Sequence, residues 1–174
     1  MISFLRLVIP ASLVLTTSLV SKGNDFLRQH EVQQINETRT CFNCNLSGMN
    51  WSDANLQGVD LRSTNFQGAN LRNANLKNAN LEWADLRKAN LQGADLTGAT
   101  LRNTLLSDVN LTGANLEASN LEGTDFRNAN LSRANLIKAL KPNNIQDSNS
   151  VKLCETILPN GAISHRDCQR LAKH

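Results

Sequence analysis

Ala69-Asn70-Leu71-Arg72-Asn73, Ala74-Asn75-Leu76-Lys77-Asn78, Ala79-Asn80-Leu81-Glu82-Trp83: three copies of one five-residue unit follow one another here without a gap. The unit keeps its register from Cys44 to Lys138, 19 copies in all. Self-similarity at a fixed period decides architecture before local propensity can. With the Leu position taken as the centre, 16 of 19 centres are Leu, and Trp51, Phe66 and Phe126 fill the others. Two residues earlier stands a small residue, Ala in 11 copies, with the larger Cys44 and Met49 at the start.

A period of five suits neither regular element. On an α-helix five steps advance a side chain by about 140°, so the centres make no stripe. On a strand the side chains alternate, so successive centres fall on opposite faces. The chain must therefore turn a corner once per unit to bring each Leu inward again. Two residues after the centre, Gly, Asn or Asp stands in 13 of 19 copies. These are the residues that tolerate the positive φ of a turn's third position. A chain turning the same way at every unit coils into a solenoid with Leu inside.

Composition agrees. With two Trp, five Phe and no Tyr among 174 residues, an ordinary globular core is out of reach. The open ends of a solenoid need covers. Residues 24–40 read as a short helix with Asn24 or Asp25 as its N-cap and Phe26, Leu27, Val32 and Ile35 as a loose apolar set. Such a helix over the open end would accommodate Met49 and Trp51. Beyond Lys138 the repeat stops; 139–150 reads as a polar linker and 151–174 as a terminal cap with a Pro159-Asn160-Gly161 turn. At the other extreme, Leu7 to Val20 is uncharged and follows Arg6. It is short for a bilayer span, so 1–21 reads as an export signal cleaved between Ser18 and Asn24, with an uncleaved anchor as the alternative. Export suits four cysteines, which permit three pairings.

The repeat run resembles the pentapeptide-repeat family. That resemblance implies an all-β fold: a right-handed quadrilateral parallel β-helix, one unit per face and twenty residues per coil, over 41–138. The 95 repeat residues would then make a rod about 23 Å long at the ~4.8 Å strand spacing. Thr40-Cys41-Phe42-Asn43-Cys44-Asn45-Leu46-Ser47-Gly48 resembles the Cys-Pro-Gly-Cys-Asp-Leu-Ser-Gly opening of exported cyanobacterial members, with Phe-Asn in place of Pro-Gly. Cys154-Glu155-Thr156-Ile157-Leu158-Pro159-Asn160-Gly161 is similar to their tail, also found in plant thylakoid-lumen relatives. The resemblance implies local disulfides, Cys41 with Cys44 and Cys154 with Cys168, and a location in the periplasm or thylakoid lumen.

The chemistry of catalysis is missing from the pattern. A zinc site would need a second Cys-x-x-Cys where Cys154 and Cys168 are widely spaced, and a thioredoxin-like pair would need a strand–helix setting. His30, His165 and His174 lack a nucleophile partner, while Asp60, Asp85, Asp95 and Asp125 fill the Asn slot before the centre. The chain is expected to be no enzyme, with no cofactor, metal, nucleic acid or, after cleavage, membrane. Two functions remain: an exported scaffold that displays its faces to an unknown protein partner, or a DNA mimic acting on DNA gyrase, as cytosolic relatives do. Residues 44–138 carry nine Lys/Arg and nine Asp/Glu, so the rod is no polyanion, which favours the scaffold. Stacking units twenty apart predicts an alternating column Arg62, Glu82, Arg102, Glu122 and a Lys88–Asp108 pair. Trp83 at a turn and Leu105 in an Asn/Asp slot are the candidate partner surface.

Overall fold

The computed structural model describes residues 25–142, 145 and 149–168. The expected export signal (1–21), most of the linker beyond Pro142 and the last residues of the tail lie outside them.

Parallel bridges join residues twenty apart at every fifth position, from Thr40–Asp60 through Asn120–Leu140. The repeat therefore builds a four-sided solenoid with one five-residue unit per face. In chain order, face 1 turns Cys41, Leu61, Leu81, Leu101 and Leu121 inward. Face 2 turns in Leu46, Phe66, Leu86, Leu106 and Phe126; face 3 begins at Trp51 and face 4 at Leu56. Of these side chains Phe126 is 5% exposed and the rest are fully buried.

One unit explains the sequence rule. Asn70 N–H donates to Met49 O of the previous coil (2.9 Å), and Leu71 N–H to Asn90 O of the next (2.7 Å). Asn73 N–H donates to Gln92 O (2.9 Å), and Ala74 N–H closes the corner onto Leu71 O (3.1 Å). Arg72 N–H is left over, and the side-chain Oδ1 of Asn70 accepts it at 3.3 Å. The slot before the centre therefore needs Asn or Asp because only their short side chains supply that fifth acceptor. The bond recurs at 2.9–3.3 Å in 17 of the 19 units, all but those with Thr100 and Leu105 in the slot.

The corner residue has φ between +53° and +71° in all 19 units, including six that are not Gly, Asn or Asp: Ser63, Trp83, Lys88, Ala118, Arg133 and Lys138. Cooperative pairing with both neighbouring coils holds them in a conformation costing an L-residue roughly 1–2 kcal/mol. At Gly93 there is a second constraint, since a Cβ would sit 2.6 Å from Asn73 Oδ1. Inside face 2, Thr104 and Thr124 hydroxyls donate to Leu81 O and Leu101 O, both at 2.8 Å. Thr64 likewise donates to Cys41 O. Leu81 O and Leu101 O already accept one corner N–H each, from Ala84 and Thr104, so the hydroxyls of Thr104 and Thr124 fill the second lone pair.

The wall extends past the regular register at both ends. Cys41 occupies an inward position and is fully buried, so the first unit lies before Cys44. After the linker, Asn130 pairs with Lys152 and Asn135 with Ile157, offsets of 22 instead of 20. Leu153 and Leu158 there take centre positions, 1% and 9% exposed, and Thr156 donates to Leu131 O (2.7 Å) as the face 2 threonines do. A two-residue register shift hides these two units from a search at fixed phase.

Helix α1, Asp25–Thr38, meets the first coil. Its Ile35 is buried in the shared core, with Val32 packed beside it and Trp51 beneath fully covered. Glu31 Oε1 accepts the Asn45 N–H at 2.9 Å. At the other end strands β1 (Thr156–Ile157) and β2 (Ile163–Ser164) form a short antiparallel hairpin. The cysteines pair locally, Cys41–Cys44 with Cα atoms 5.5 Å apart and Cys154–Cys168 with 4.7 Å.

Candidate functional site

The four faces present different slots to solvent. On face 3 every regular slot is Asn, and amides stack from coil to coil: Asn70 Nδ2 to Asn50 Oδ1 at 2.9 Å, Asn110 Nδ2 to Asn90 Oδ1 at 3.1 Å. Face 4 is similar, with Asn135 Nδ2 to Asn115 Oδ1 at 3.1 Å. Its one acidic slot, Asp95, takes Lys77 at 3.2 Å.

Faces 1 and 2 break the ladder. Asp60, Asp85 and Asp125 each receive a forked guanidinium from the residue two positions on, Arg62, Arg87 and Arg127, with Nη2 at 2.7, 2.5 and 2.8 Å. These arginines, through hydrogen bonding first, hold the three carboxyls below the usual carboxylate range. The Asp-Leu-Arg and Asp-Phe-Arg triplets are visible in the sequence and signal these pairs, which column stacking alone overlooks.

The expected charge column forms in part. Arg102 stands between Glu82 (3.4 Å) and Glu122 (3.3 Å), and Lys141 reaches Glu122 at 2.6 Å. Arg102 Nε is close to Glu122 yet makes no hydrogen bond, so that contact is electrostatic. Arg62 departs from the column: it turns to Asp60 and lies over the Phe42 ring, 5.7 Å from its centroid. A carboxylate within its own unit offers two aligned acceptors, which one rung away Glu82 does not. Nor does Lys88 pair with Asp108 among the described ion pairs; Asp108 Oδ1 accepts from Asn128 Nδ2 at 3.1 Å.

Trp83 and Leu105 lie at the edge where face 1 meets face 2, 62% and 39% exposed. Trp83 holds a corner with φ of 64°. Leu105 in its slot gives Ser107 N–H no side-chain acceptor, and Thr100 one unit earlier gives none to Arg102. The two missing slot bonds therefore belong to consecutive units of one coil, next to the rung of Trp83. Phe42 (61%) and Leu140 (57%) are also exposed, both on face 1.

Among the described residues no cluster of His, Cys, Asp or Glu is placed to hold a metal ion, and no helix is long and apolar enough to cross a membrane.

A protein-family model described as pentapeptide repeats (8 copies) matches residues 41–78, 64–103 and 104–140. The chain belongs to the pentapeptide repeat family. Three solved pentapeptide repeat proteins illustrate its breadth. One, from the Arabidopsis thaliana thylakoid lumen, is 31% identical over 53% of this chain and 68% of its own, TM-score 0.40. HetL, involved in heterocyst differentiation regulation in the cyanobacterium Nostoc, is 28% identical over 72% and 64%, TM-score 0.44. Rfr23 from the cyanobacterium Cyanothece is 30% identical over 75% and 91%, TM-score 0.39. No curated protein sequence matches the chain.

Proposed function

We propose that this pentapeptide repeat protein is an exported, non-catalytic interaction rod whose adhesive side is the edge between faces 1 and 2. The observation that carries the reading is the clustering of departures there. Trp83 places a bulky, exposed side chain on a positive-φ corner and Leu105 forgoes the slot hydrogen bond, while Thr100, in the face 1 slot of the same coil as Leu105, forgoes it as well. Exposed aromatics of this kind dominate binding energy at protein interfaces. The uncharged leader with its preceding Arg6 and the two disulfides support an oxidising compartment, periplasm or thylakoid lumen.

The polyanion reading, a duplex mimic addressing DNA gyrase, has no support in the charge. Nine cations balance nine anions on residues 44–138, and the slot aspartates are each bound to a cation. The test is affinity capture from the exported fraction, with the wild-type chain and a Trp83→Ser, Leu105→Asn variant side by side. A specific protein retained by the first and lost by the second supports the reading. Equal retention by both rejects this edge as the adhesive side.

A further inference from the structure

Face 1 is self-complementary, and we infer that two copies of this chain pair through it, side by side and antiparallel. The inference rests on the reading of the Trp83–Leu105 edge as adhesive and names its occupant as a second copy. The outer column of face 1 runs Phe42, Arg62, Glu82, Arg102, Glu122, Pro142. A twofold axis crossing the face between the Glu82 and Arg102 rungs reverses this order on the second copy. Glu82 then meets Arg102, Arg62 meets Glu122, and Phe42 meets Pro142, each contact made twice. In the slot column Asp60 meets Asn120 and Thr40 meets Leu140, so no carboxylate faces another. Both copies share the same rung spacing of ~4.8 Å, which keeps the register along the whole face.

The edge obeys the same operation. The two second faces become coplanar at the seam, and Trp83 lies opposite Asn103, within reach of Leu105 on the other copy. One axis thus covers Phe42, Trp83, Leu105 and Leu140, four of the five large apolar side chains exposed among the described residues; the fifth, Ile163, belongs to the tail hairpin. Lys141, held on Glu122, makes the face neutral with three cations and three carboxylates.

Like charges reject the neighbouring registers. An axis through the Glu82 rung sets Glu82 against itself and Arg62 against Arg102. An axis through the Arg102 rung sets Arg102 against itself and Glu82 against Glu122. Such repulsion fixes register as effectively as attraction does. One wall of a solenoid is narrow, so the pair buries less than the ~1,200 Å² of standard interfaces and forms at high protein concentration.

Sedimentation equilibrium of the disulfide-intact exported chain, from about 10 µM to about 1 mM, tests this. The wild type should dimerise. Glu82→Arg should raise the dissociation constant at least tenfold, and adding Arg102→Glu should restore it to within about threefold. That swap worsens neighbour contacts within one copy, leaving Arg beside Arg and Glu beside Glu. Restoration therefore reports pairing between copies and not a lock within one. Trp83→Ser with Leu105→Asn, which leaves the column intact, should also weaken the dimer about tenfold. A wild type monomeric at 1 mM, or a swap no better than Glu82→Arg alone, overturns the inference. If the chain is monomeric while the Trp83, Leu105 variant loses a captured partner, the pairing fails and the interaction reading stands.

Discussion

Faces 3 and 4 hold Asn in every regular slot but that of Asp95, whereas faces 1 and 2 replace it at Asp60, Asp85, Thr100, Leu105 and Asp125. All four sides share the same backbone pairing and the same buried Leu columns. Apart from the inward threonines of face 2, the difference lies outside, in whether a slot side chain serves the wall or something beyond it. An Asn in the slot satisfies its own unit and stacks on the preceding coil, as Asn110 does on Asn90. An Asp must find a cation, and a Leu serves neither purpose. A rod can afford such departures on two sides because the other two, and the interior, hold the coils in place.

The largest expected effects test that shared interior. Leu96→Ala, beneath face 4, should leave a cavity costing about 2–5 kcal/mol by denaturant unfolding. Leu81→Ala, beneath face 1, should cost the same within error if the core is indifferent to the face above it. Ala94→Leu should overpack a fully buried position and cost about 1–3 kcal/mol. Wild-type melting of that variant would show that the small position does not point inward.

Slot exchanges address the contrast itself. Asn90→Leu on face 3 removes the acceptor for Gln92 N–H and two ladder contacts; it should destabilise by about 1–3 kcal/mol. Leu105→Asn on face 2 supplies Ser107 N–H with an acceptor and should stabilise by about 0.5–1.5 kcal/mol. If both exchanges move the melting temperature the same way, the faces do not differ as described.

A smaller effect depends on pH. The Arg-bound carboxyls of Asp60, Asp85 and Asp125 titrate below their usual range. Their contribution is present above the unfolded value near 3.9 and is lost as pH falls through the lowered folded values. Changing all three to Asn keeps the slot bond and removes the ion pairs. That variant should melt lower than wild type at pH 7, and the gap should close as pH falls through the lowered folded values. A gap that persists in acid would mean that the aspartates act through packing. The smallest effect belongs to the exposed column: in dilute protein, Glu82→Arg should lower the melting temperature by a few degrees at low salt and less at high salt. Absence of any salt dependence would remove the column from the account.

The architecture was legible because a five-residue period admits only a chain that turns every unit, and Leu71, Asn73 and Ala74 state the inward, corner and small positions outright. What the slot Asn does was not legible, since the bond from Arg72 N–H to Asn70 needs the turn geometry to be seen. Arg62 misled the column reading because stacking twenty apart ignores the nearer carboxylate of Asp60 in the same unit. The two late units at Leu153 and Leu158 escaped because a two-residue shift breaks the phase that pattern reading relies on. Trp83 and Leu105 stood out in the sequence as misfits, but the edge that they share, and the symmetry of face 1 beside it, needed the fold.

Hydroxyl-radical footprinting of the disulfide-intact chain at dilute and at near-millimolar concentration tests most directly whether faces 1 and 2 carry the contacts while faces 3 and 4 only hold the rod. Phe42, Trp83, Leu105 and Leu140 should lose reactivity together as concentration rises, while Ile137 on face 4 and Ile163 in the tail hairpin stay unchanged. Uniform reactivity at both concentrations, or protection centred on Ile137, would contradict it.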